Sequence, residues 1–103
     1  MGGQYPAVKI LFELVHPVAD KGDDAATGPI MKLVVELWPN NYQALFHLGI
    51  AEYVGNDPVA AKEHLEEFLR QYTSDDRFGR RAKKTLERIA SGLPAAPGES
   101  SAH

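Results

Sequence analysis

The stretch 41–72, NYQALFHLGIAEYVGNDPVAAKEHLEEFLRQY, decides the fold. In its first half Leu45, Leu48, Gly49 and Tyr53 recur at spacings of three and four. In its second half Ala61, Leu65, Phe68, Leu69 and Tyr72 do the same. Such spacing predicts two helices, each with one buried stripe. Between them, Gly55 is free to take a positive φ at the end of the first helix, Asp57 is an N-cap, and Pro58 suits the first position of the second. So short a linker makes the helices antiparallel. Gly49 and Ala61 are small residues inside the two stripes, which lets the axes approach closely.

A shift of 34 residues toward the N-terminus aligns Leu11 with Leu45, Phe12 with Phe46, Leu14 with Leu48, Asp23 with Asp57 and Ala26 with Ala60, without a gap. Softer matches join Met31 to Leu65, Val34 to Phe68, Val35 to Leu69 and Trp38 to Tyr72. The chain therefore contains a repeat. Its first copy has Val15 in place of the Gly and Thr27 in place of the Ala, so its two helices are expected to stand further apart.

The second copy resembles the tetratricopeptide repeat, a 34-residue pattern of Leu or aromatic, Leu-Gly, Tyr, Ala, aromatic and Pro. Here this reads Leu45, Leu48-Gly49, Tyr53 one place late, Ala61 and Leu65, with Pro39 closing the preceding unit. The resemblance implies an all-α, right-handed stack of antiparallel hairpins. Five helices are expected. An irregular start over 1–5 precedes a degenerate repeat over 6–41, a second repeat over 42–75, a capping helix over 76–91, and a disordered tail over 92–103.

Within that frame a first helix runs from Pro6 to about Asp20, with a kink at Pro17 or an early end near His16. Residues 21–27 read as a loop, and Thr27 or Gly28 as the cap of a second helix that begins at Pro29 and buries Ile30, Met31, Val34, Val35, Leu37 and Trp38. Asn40 or Asn41 caps the third helix. The fifth carries a narrow stripe of Phe78, Ala82, Leu86 and Ile89 on an otherwise charged surface, as a terminal cap requires.

With 103 residues, 44% of them hydrophobic, the chain can build one modest core. The net charge of -3 argues against nucleic acid as a partner. There is no Cys, so disulfides and thiol chemistry are excluded. The longest apolar run, Ile10 to Val15, is interrupted by Glu13 and is far too short for membrane insertion or a signal peptide. The expectation is a soluble, cytoplasmic protein, although Met1-Gly2-Gly3 also reads as a start added to a piece of a longer repeat array.

His16, His47, His64 and His103 lack the spacing of a helical metal site, and no cofactor motif, phosphate loop or nucleophile elbow is present. A non-catalytic protein is expected. In the resemblance, the first helix of each pair lines a concave, peptide-binding groove. That implies Lys9, Phe12, His16 and Ala19 from the first copy, and Gln43, Phe46, His47, Ile50 and Tyr53 from the second. Phe12 and Phe46, at the same repeat position, either grip a partner or fill space between repeats. Arg77, Arg81, Lys84 and Arg88 form a basic flank on the fifth helix, facing either the groove or solvent. In the first case the partner carries acidic residues near its apolar anchors. The competing reading is self-association, a homodimer that buries Val8, Ile10 or Leu14 of an open first-helix face.

Overall fold

The computed structural model describes residues 6–21 and 24–95. Within them the chain is all-α, with no strand: α1 (Pro6–Asp20), α2 (Asp24–Leu37), α3 (Tyr42–Val54), α4 (Pro58–Gln71) and α5 (Arg77–Ala90). Each helix packs on the next in sequence, and α3 touches all four others. None is long and apolar enough to cross a membrane.

The α3–α4 hairpin is set by its caps. The Asn41 side chain accepts from the Ala44 N–H at 3.1 Å, and Asp57 Oδ1 accepts from the Ala60 N–H at 3.3 Å, with Pro58 opening α4. The left-handed residue of the turn is Asn56, at φ 66°, whereas Gly55 keeps φ -79° and donates to the Ala51 carbonyl at 2.8 Å. Asn tolerates that conformation through its short polar side chain, so the expected role of Gly55 passes one place along.

Gly49 is where the two helices come closest. A Cβ there would stand 2.6 Å from both Cγ and Cδ2 of Leu65, which is itself fully buried, as is Ala61. The second expected feature, a single buried stripe on α3, is corrected. Every residue from Ala44 to Ala51 is buried, because α1 and α2 cover one side and α4 and α5 the other. Two apolar clusters result. Ala44 and Leu48 join Phe12, Val15, Met31 and Val34, while Leu45, Phe46 and Ile50 join Leu65, Phe68 and Ala82.

The first hairpin departs further from expectation. Helix α1 continues through Pro17 to Asp20 rather than ending at His16, since the exposed ring forfeits a single backbone bond near the helix end. Helix α2 begins at Asp24, so Thr27 and Gly28 are buried helical residues and not caps, and Pro29 lies inside the helix. Contact with α3 holds these first turns, for a Cβ on Gly28 would stand 3.0 Å from that of Ala51. Ile30 and Leu37 were expected in the core and are instead 36% and 44% exposed, because α1 and α3 cover only one side of α2.

Helix α5 is capped by Asp76, whose carboxylate accepts from the Phe78 and Gly79 N–H groups, and the chain turns at Gly92 with φ 71°. Leu93 and Pro94 are held, contrary to the expectation of disorder from residue 92. The Tyr53 hydroxyl donates to the Leu93 carbonyl at 3.0 Å, and Arg88 donates to the Pro94 carbonyl at 2.8 Å. The expectations for 1–5 and for 96–103, as for part of the 21–27 loop, fall outside the described residues.

His64 Nδ1 and Glu52 Oε1, 2.6 Å apart, tie α3 to α4. Burial pushes the Glu52 carboxyl above the usual range, and this outweighs the lowering by His64. A raised acid binds its proton more readily folded than unfolded, so its contribution favours the folded state below the titration and is lost as pH rises through it. Glu52→Gln is therefore expected to gain stability relative to the parent as pH rises above the ordinary carboxylate range. Paired urea titrations at stepped pH measure this, and a difference that stays constant with pH would refute it.

Candidate functional site

A cavity of about 250 Å³ opens at the N-terminal end of α3. It is lined by Tyr42, Gln43, Phe46 and His47 of α3, Phe68 and Tyr72 of α4, His16 of α1 and Phe78 of α5. Tyr42 and Gln43 are exposed, whereas Phe46, His47 and Phe68 are buried beneath.

The walls are a continuous chain of rings. Phe12 stacks on His16 at 4.9 Å, His16 meets the edge of His47 at 5.2 Å, and His47 meets Phe46 at 5.3 Å. Phe46 then touches Phe68 at 5.2 Å and the edge of Phe78 at 5.5 Å. The stack Phe68–Tyr72–Tyr42 completes the chain, at 5.0 and 5.2 Å. Rings in edge-to-face and offset contact lock one another, so the cavity is shaped before anything enters it.

Tyr72 is further fixed by its hydroxyl, which donates to the Asp76 carboxylate. That bond holds the Tyr72 hydroxyl above its usual range, and together with the Gly79 N–H it holds Asp76 below the usual carboxylate range. Asp76 is thereby committed to α5 and to Tyr72.

Two cations stand at the α5 end. The Arg77 guanidinium lies 4.8 Å from the centre of the Phe78 ring, and that of Arg81 lies 5.9 Å from the centre of Phe46. Arg88 reaches the Tyr53 hydroxyl at 3.0 Å. Arg81 beside Phe46 and Arg88 beside Tyr53 are each seven residues apart, so α5 runs alongside α3 in the same direction and turns this flank toward it. Lys84, on the same flank, is exposed.

The residues named from sequence divide accordingly. His16, Gln43, Phe46 and His47 meet at the cavity. Phe12 is buried one ring further along, against His16 and Trp38. Ile50 and Tyr53 are buried, at 0% and 3% exposure, because α5 lies over that side of α3. They line no open groove at the cavity, and Lys9 is exposed on α1 away from its lining. Sequence reasoning missed Tyr42, Phe68, Tyr72 and Phe78, which had registered only as core positions or not at all. It also missed the meeting of His16 and His47, 31 residues apart. Comparison with protein-family models, with curated proteins and with solved structures finds no match for this chain.

Proposed function

We propose that this chain is a non-catalytic, tetratricopeptide-like protein-interaction module whose cavity takes one bulky side chain of a partner segment. The observation that carries the reading is a preformed, ring-walled cavity reaching the surface beside Tyr42 and Gln43. Its volume of about 250 Å³ lies below the roughly 300–1,000 Å³ of pockets that enclose drug-sized ligands, which favours a single anchoring residue. A rigid receptor loses little entropy on binding, so one buried anchor contributes a large share of the affinity.

Arg77 and Arg81 give the site its sign. Residues 75–90 hold six basic and three acidic side chains in a chain whose net charge is -3. Carboxylates flanking the anchor meet these two guanidinium groups at the rim, where they govern association rate and selectivity. The 34-residue repeat supports the family reading, for Met31 and Leu65, Val34 and Phe68, and Phe12 and Phe46 are all buried pairs in equivalent places.

Fluorescence anisotropy with labelled ten-residue peptides tests the proposal, the peptides carrying a central Phe or Ala flanked by Glu, by Ser or by Lys. The Glu-flanked Phe peptide is expected to bind best. Tyr42→Ala, at an exposed wall, is expected to weaken it about tenfold, the worth of one aromatic contact of about 1.4 kcal/mol. Arg77→Ala is expected to narrow the preference for Glu flanks. Binding by none of the Phe peptides, or equal binding of Phe and Ala peptides, would sink the reading.

A further inference from the structure

At the end of the stack away from α5, both helices of the first hairpin expose large apolar side chains. Ile10, Leu14 and Val18 are 56%, 69% and 42% exposed along one line of α1, and Leu33 on α2 is 46% exposed between Ile30 and Leu37. The two lines share one end of the molecule. Gly28 marks the side of α2 turned to α3, and Ile30, Leu33 and Leu37 follow it by two, five and nine residues, which places them roughly 140–200° around the helix.

The internal repeat shows what such a face meets. Thirty-four residues after Ile10 and Leu14 stand Ala44 and Leu48, and both are buried against the first hairpin, among Phe12, Val15 and Val34. Thirty-four after Leu37 stands Gln71, whose side chain donates across to the Pro39 carbonyl at the end of α2. In the second unit the α3 positions are a seam covered by the first hairpin. In the first unit the equivalent positions are a surface, and Leu33 and Leu37 extend it where α4 has the partly exposed Glu67 and Gln71. A patch of this composition marks a contact surface.

We infer that a second copy of this chain covers it, with α1 and α2 of each copy packed against the same helices of the other about a two-fold axis. Among the described residues beyond α2, the exposed large apolar side chains are only Tyr42, Val59 and Leu93, scattered over α3, α4 and the segment after α5. Helix α5 itself spends its apolar stripe on α3 and α4 and presents charge outward, so no second apolar face matches this one. Head-to-tail stacking is thereby disfavoured, and a face that must pair with its own kind does so symmetrically. Its charged borders allow this. Lys9 and Glu13, exposed on α1, carry both signs, so an antiparallel two-fold places unlike charges opposite. Val8, expected from sequence to share in such a contact, is only 6% exposed and belongs to the chain's own core. The inference does not depend on what the cavity binds.

Sedimentation equilibrium over a wide concentration range tests it, with the full chain and with Leu14→Ser, Leu33→Ser and the double variant. These residues touch no core, so circular dichroism and thermal midpoint should report an intact fold. The expected result is a dimer whose dissociation constant rises roughly a hundredfold or more in the double variant. The chain has no cysteine, so Leu14→Cys supplies a lone thiol, and oxidation should cross-link two copies as a two-fold near α1 requires. A monomer at every concentration would overturn the inference and leave the face to a different helical partner. A dimer that both serines leave intact would overturn it equally.

Discussion

Phe46→Ala is expected to lower stability by about 3–5 kcal/mol, the cost of emptying a fully buried Phe site. Phe46 is 2% exposed and touches rings from α3, α4 and α5 together, so no single neighbour can move to close the space. Against a total of about 5–15 kcal/mol for a domain, this is a large fraction. At roughly 4–8 °C per kcal/mol, the thermal midpoint should fall by about 12–40 °C. Differential scanning calorimetry measures it directly. A drop of only a few degrees would mean that the Phe46 ring is a lining of the cavity and not the keystone of the second core. The result also governs how the cavity is tested, since loss of binding in Phe46→Ala would report unfolding, whereas Tyr42→Ala leaves the core filled.

The other large effect is expected at Gly49→Val, at the upper end of the roughly 1–3 kcal/mol cost of overpacking, or beyond it. Even the first added carbon would stand 2.6 Å from two atoms of Leu65, and a branched side chain adds two more carbons to a seam with no room. Leu65 cannot retreat, being 0% exposed against Phe46 and Phe68. Gly49→Ala separates sterics from propensity. It gains about 1 kcal/mol of helix propensity while still displacing Leu65, so it should fall between Gly49→Val and the parent. Urea midpoints for the three proteins give the order. A Gly49→Val protein as stable as the parent would show that the two helices can part without loss.

These two residues also show how far the sequence could be read. Gly49 and Ala61 announced a close helix pair because small residues inside apolar stripes have a direct geometric meaning, and the Asn41, Asp57 and Pro58 signals placed helix ends for equally local reasons. The 34-residue offset predicted that Met31 and Val34 would bury like Leu65 and Phe68, and they do. What failed was whatever depended on neighbours. Pro17 read locally as a kink or stop and Pro29 as a helix start, but both lie inside their helices, and contact with α3 holds the turns of α2 that precede Pro29. Ile30 and Leu37 read as core because apolar residues on a helix were assumed to have a partner. Ile50 and Tyr53 read as groove residues because nothing in a sequence says that α5 will lie over them.

The cavity was only half legible for the same reason. Gln43, Phe46 and His47 follow from the repeat register, but Phe68, Tyr72 and Phe78 come from helices whose apolar positions looked like ordinary core stripes. Convergence of four helices at one end of α3 is a property of the packing, and no spacing along the chain encodes it.

The hold that Tyr53 and Arg88 keep on Leu93 and Pro94 has a practical meaning for anything joined to this domain. Leu93 is held beside Tyr53, near the C-terminal end of α3, and Phe46 lies seven residues back along that helix, about 10 Å at 1.5 Å per residue. A short affinity handle fused after residue 95 would therefore be attached near the end of the central helix opposite to Tyr42 and Gln43 at the mouth of the cavity.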